Sequence, residues 1–93
     1  MQITLNIDNQ ERTFIAPFIS TRKLRKAMAL VKDLNGDFNE ETMDKLAEYL
    51  IEVYGNQFTL DQLYDGFPGN KFFKKAIDDI TSITGEFEEK IKN

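Results

Sequence analysis

The stretch YGNQFTLDQLYDGFPG, residues 54–69, limits the fold more than any other part of the chain. Gly55 suits the C′ position that ends a preceding helix. Thr59 then opens TLDQ, a Thr-x-x-Gln capping box, which starts a short helix at about residues 60–65. DGFPG breaks that helix almost at once. The stretch is therefore a corner between two longer helices, with tyrosines and phenylalanines to fill the angles. It contains no histidine, cysteine, serine or basic residue, so it specifies shape and carries little chemistry.

The flanking segments follow from periodicity. In QITLNID, Ile3, Leu5 and Ile7 alternate with Gln2, Thr4 and Asn6, the period of a half-buried strand. DNQE is a turn and RTFIA is rich in strand formers, which gives a hairpin over about residues 2–16, with strands at about 2–8 and 11–16. Two strands alone are marginal in water, so the hairpin must pack on helices. Ser20 caps a first helix over about 21–34, with Leu24, Ala27, Met28, Val31 and Leu34 as its apolar stripe and NGD, with Gly36, as its stop. Asn39 caps a second helix over about 40–54, with Glu40 and Glu41 placed well at its start and Glu41 four residues before Lys45. Asn70 caps a last helix over about 71–84, with Phe72, Phe73, Ala76, Ile77, Ile80 and Ile83 inward, and Gly85 ends it. EFEEKIKN, 86–93, is a polar tail. The expected fold is α+β and mainly α: one domain, residues 1–85, in which an N-terminal β-hairpin packs on three helices and one short helix.

Composition excludes several functions. The 93 residues hold no cysteine and no histidine, which removes disulfides, thiolate nucleophiles, the commonest general base and the commonest transition-metal ligand. A chain of this size buries about 60–65% of the surface its unfolded form exposes, enough for one modest core. No apolar run approaches the roughly 20 residues a membrane span needs. MQITLNID lacks the basic and apolar regions of a signal peptide, so a cytosolic location is expected. GFPGNK is not a phosphate-binding loop, because it lacks the Gly-x-x-x-x-Gly-Lys-Ser/Thr spacing. Glu40, Glu41, Asp44, Glu48 and Glu52 fall on the polar face of a helix and read as a solvated surface, not as paired catalytic carboxylates. Residues 33–44, DLNGDFNEETMD, partly match a calcium loop at Asp33, Asn35 and Asp37. Phe38 stands where the sharp turn needs glycine, and Asp44 where a glutamate is usual. No cofactor is implied.

The net charge of −4 is unevenly spread. Residues 12–32 hold six bases and no acid, while residues 33–65 hold nine acids against Lys45 alone. Arg22, Lys23, Arg25 and Lys26 crowd the first two turns of the first helix, beside the positive end of its macrodipole, where each costs a few tenths of a kcal/mol if unpaired. Nucleic acid is a poor partner for a chain that is acidic overall and carries no base-stacking signature. Two readings stay open: the bases pair with the acidic second helix, or they face a protein partner.

In order and spacing, PFISTRKLRKA (17–27) and VYGNQFTLDQLYDG (53–66) resemble the small tail assembly chaperones of long-tailed, siphovirus-type phages and prophages of Gram-positive bacteria. The likeness covers about residues 3–84. It implies a non-enzymatic protein of the bacterial host cytoplasm. Such a protein binds the tape-measure protein, helps the tail-tube protein polymerise around it, and is absent from the mature virion. It also implies a possible ribosomal frameshift, with GEFEEKIKN as the end of the short product. Physics supplies the contact candidates. Holding an amphipathic helix needs exposed apolar surface and charge to orient it. These are the bases Arg22, Lys23, Arg25 and Lys26, the aromatics Phe67 and Phe72, for which a place in the core is the competing reading, and Phe87 and Ile91 of the tail. The opposite charges of residues 12–32 and 33–65 also permit head-to-tail self-association into rings or spirals. The alternatives are a regulatory or adaptor module that binds one folded protein, and a calcium-binding helix–loop–helix.

Overall fold

The computed structural model describes residues 1–34 and 38–92, with side chains described as far as Gly85. Strands β1 (Gln2–Ile7) and β2 (Gln10–Ile15) form an antiparallel hairpin in unbroken register, from Gln2 opposite Ile15 to Ile7 opposite Gln10. Asp8 and Asn9 both take positive φ, 54° and 64°, as a two-residue turn matched to strand twist demands. Four helices follow: α1 (Thr21–Leu34), α2 (Glu40–Val53), α3 (Leu60–Gly66) and α4 (Phe72–Lys92), with a 3-10 turn at Gly69–Lys71 before the last. This is the α+β, mainly α architecture that the periodicity requires.

Alternation along the hairpin sets its inner face. Ile3, Leu5 and Phe14 are buried, while Gln2, Thr4, Asn6, Glu11 and Thr13 face outward. The corner after α2 packs directly on this face. The Phe14 and Phe58 rings lie 5.1 Å apart, and Tyr54 and Phe58 lie 5.9 Å apart. Gly55 turns the chain at φ 74°, and Asn56 follows at φ 58°. The Gln57 amide then donates to Ile15 O at 2.9 Å and to Tyr54 O at 2.7 Å, which fastens the corner to the end of β2. α3 closes against the outer edge of β1, where Gly66 leaves no room for a side chain: a Cβ there would sit 2.7 Å from Asn6 O.

The caps stand largely as their residues dictate. Asn39 and Thr42 form a reciprocal capping box at the start of α2, and Thr59 and Gln62 form one at the start of α3. Ser20 Oγ accepts from Lys23 N at 3.3 Å at the start of α1. Asn70 is not a cap. It lies within the 3-10 turn, whose first carbonyl comes from Pro68. The expected stop at Gly36 lies outside the described residues.

Two further expectations need correction. Gly85 does not end the last helix, which continues to Lys92. A glycine lowers helix propensity by about 1 kcal/mol but stops a helix only where it takes positive φ, and Glu, Lys and Ile beyond it continue the helix readily. The stripe of α1 is also turned. Ala27, Leu30 and Leu34 are buried and Leu24 half-buried, whereas Met28 and Val31 are 46% and 44% exposed. α1 carries more apolar residues than one face can bury. α2 lies on the Leu30 side, and that contact decided which residues went in.

The two glycines give a test of opposite sign. Gly66→Ala should destabilise the fold by about 1–3 kcal/mol, because the intruding Cβ meets rigid backbone. Gly85→Ala should stabilise it by about 0.5–1 kcal/mol, since the nearest atom to its Cβ would be Thr81 Cγ2 at 3.9 Å. Denaturant midpoints of the two variants check both signs.

Candidate binding surface

α1 presents two neighbouring ridges to solvent. Leu24, Met28 and Val31, at i, i+4 and i+7, make an apolar ridge. Arg22, Arg25 and Lys32, at i, i+3 and i+10, make a basic ridge beside it. At one end, a cavity of ≈ 290 Å³ opens between the start of α1 and α4, where Leu24 meets Ile19, Ile83 and Met1. Beyond the other end, Phe38 is 55% exposed and packs edge-on against Phe73 of α4, with centroids 4.9 Å apart. The apolar band therefore follows the seam between α1 and α4 along α1, which is about 21 Å long. Phe18, just before α1, is 86% exposed and adds an aromatic near the cavity end.

The structure separates the four clustered bases. Lys26 reaches Glu52 of α2 at 2.7 Å, so one of them does pair with the acidic helix. Lys23 is half-buried at the joint where its carbonyl accepts the Tyr49 hydroxyl at 2.7 Å. Arg22 and Arg25 are exposed and make no ion pair among the described residues, and neither does Lys32. The open question about the bases thus resolves residue by residue: contact within the chain accounts for Lys26 but not for the two arginines.

The aromatic candidates fare differently. Phe72 is 3% exposed and belongs to the core, because it starts α4 facing the interior beside Tyr64. Phe67 is half-buried against the same core. The side chains of Phe87 and Ile91 lie outside the described residues. Sequence reasoning missed Phe18 and Phe38 as surface residues. The available signal was their place in short links between elements, where no helical or strand face exists to bury them. It also placed Met28 and Val31 in the core. Among the described residues, no group of three acidic side chains is arranged to hold a metal ion, and no helix is long and apolar enough to cross a membrane.

Two tyrosines hold the scaffold under this surface. Burial, and then the charge of Glu52, push the Tyr49 hydroxyl up to about 12. Burial pushes Tyr54 higher still, reinforced by its hydrogen bond to Asp79 and by that carboxylate's charge. Unfolded tyrosines ionise near pH 10, so above about pH 10 the unfolded state binds fewer protons than the folded one. The stability contributed is complete below about pH 10 and is lost as pH rises toward 12. Denaturant midpoints should accordingly fall over that interval, and Tyr49→Phe should flatten the fall; a midpoint unchanged across it would contradict the assignment.

The bases without an ion pair among the described residues predict a second, less usual result. Arg22 occupies the second position of α1, where an acid is favoured, so Arg22→Glu should leave the melting temperature unchanged or raise it, by an equivalent of about 0.3–1 kcal/mol. A clear drop would show that Arg22 supports the fold.

The fold, the exposed band and the separated bases describe a small, mainly helical protein with an apolar and basic surface open to solvent. A family model described as phage tail chaperone protein matches residues 1–93. No curated protein and no solved structure matches the chain. The whole length being matched, the chain belongs to the phage tail chaperone family.

Proposed function

We propose that this tail chaperone binds the tape-measure protein of its own phage, keeps it from aggregating, and assists the tail-tube protein to polymerise around it. The protein then leaves, acting in the host cytoplasm during assembly of a long-tailed phage of a Gram-positive bacterium. The observation that carries the reading is the solvent-facing side of α1. Exposed Met28, Val31 and Phe38 run beside Arg22 and Arg25, which have no ion-pair partner among the described residues. Natural domains rarely retain both an exposed apolar band and unfavourable helix-end charges unless a partner uses them.

The same features suit reversible holding. Exposed ion pairs contribute only about 0–1 kcal/mol each and are screened over about 8–10 Å at ordinary salt. A contact made of a shallow apolar band and a few such pairs is strong enough to cover a sticky helix and weak enough to be displaced when subunits of the tube pack around it.

Co-expression with the tape-measure protein encoded beside this chain tests the proposal. The client should become soluble and co-purify, and the complex should dissociate as salt is raised. An insoluble client alongside well-folded chaperone, both with this chain and with any longer product of its gene, would overturn the reading.

A further inference from the structure

We propose that the α1–α4 band receives an amphipathic α-helix with one acidic flank, its acids gathered toward the end that lies over the start of α1. This rests on the reading of the protein as a client-binding chaperone and specifies what the client segment must look like.

Shape selects a helix. The apolar contacts offered by α1 recur at Leu24, Met28 and Val31, the spacing of a helical ridge, and the seam with α4 supplies the adjoining wall. Ridges of this kind take the apolar face of another helix between them. The two ends are unlike. Near Leu24 the ≈ 290 Å³ cavity, lined by Ile19 and Ile83 together with Ser20, Thr21 and Ser82, has room for a large side chain. At the far end the Phe38–Phe73 pair gives a broad aromatic platform. A helix of about four turns spans the distance between them.

Charge selects its flank and direction. The basic ridge borders only the solvent side of the apolar ridge, and two of its three members, Arg22 and Arg25, stand in the first half of α1. In the cleft between α1 and α2, Glu52 is held by Lys26, and Glu48 lines the same cleft as Arg25 without forming an ion pair among the described residues. A bound helix with acids on the matching flank, concentrated over Arg22 and Arg25, gives those arginines the ion-pair partners they lack among the described residues. A helix with lysines there meets like charge at close range.

Two synthetic amphipathic helices of about 20 residues provide the probe. They share a leucine row at i, i+4 and i+7 spacing, and carry either Glu or Lys on the flanking ridge. Titrated into the whole protein, the Glu peptide should bind about tenfold or more tighter than the Lys peptide. Arg22→Glu, Arg25→Glu and Lys32→Glu together should invert that preference, a gain that an unfolded protein cannot produce. Met28→Ser with Val31→Ser should weaken both peptides alike. Equal affinity for the two peptides, or a Glu preference kept by the triple variant, would overturn the inference. Co-expression of that variant with the tape-measure protein separates the two levels. If wild type and variant both hold the client, the chaperone reading survives and this band is not the site; if wild type itself fails to hold it, the chaperone reading is the one that falls.

Discussion

A buried polar junction fixes how the hairpin, α2 and α4 sit on one another. Tyr54, fully buried at the end of α2, donates its hydroxyl to Asp79 of α4 at 2.8 Å. Lys75, one turn earlier on α4, donates to Asp79 at 2.8 Å and to Gln2 O of β1 at 2.6 Å. A buried carboxylate without partners would be strongly destabilising, so each of these contacts requires the others. The junction leaves α4 one orientation relative to the hairpin. Since α1 packs on α4 as well as on α2, the same constraint fixes where the exposed band lies.

That junction shows where sequence reasoning reaches its limit. The capped corner, the hairpin and the order of helices were legible because each rests on local rules: a capping box needs four residues and alternation needs six. Asp79 carried a faint signal, an acid on the apolar face of α4 four residues after Lys75, but its partner Tyr54 is 25 residues away and looks like any other apolar residue of α2. Gly85 misled for the related reason that composition cannot report φ. The turned stripe of α1 was beyond reach because Leu24, Ala27, Met28, Leu30, Val31 and Leu34 offer more than one coherent face. The choice among those faces is made by neighbours distant in sequence.

The candidate surface was legible in its charges and hidden in its apolar part. Four bases at the wrong end of a helix dipole declared that something other than helix stability had placed them. The structure narrows this to Arg22 and Arg25, with Lys26 explained by Glu52 and Lys23 by its place at the joint with Tyr49. Phe72, which read both as an inward residue of α4 and as a contact candidate, is core; Met28 and Val31, which looked like core, are surface. A small domain has little stability to spare. The junction and the aromatic corner supply the rigidity that lets α1 keep a face poorly matched to its own helix.

The central claim is that this face of α1 carries the client. Amide hydrogen exchange across the chaperone, free and mixed with the proposed client, the tape-measure protein, tests it most directly. The account predicts new protection over α1 and around Phe38 and Phe73, with the hairpin turn at Asp8–Asn9 and the acidic side of α2 unchanged. Protection confined to the hairpin or to α3, with α1 exchanging as in the free protein, would contradict it.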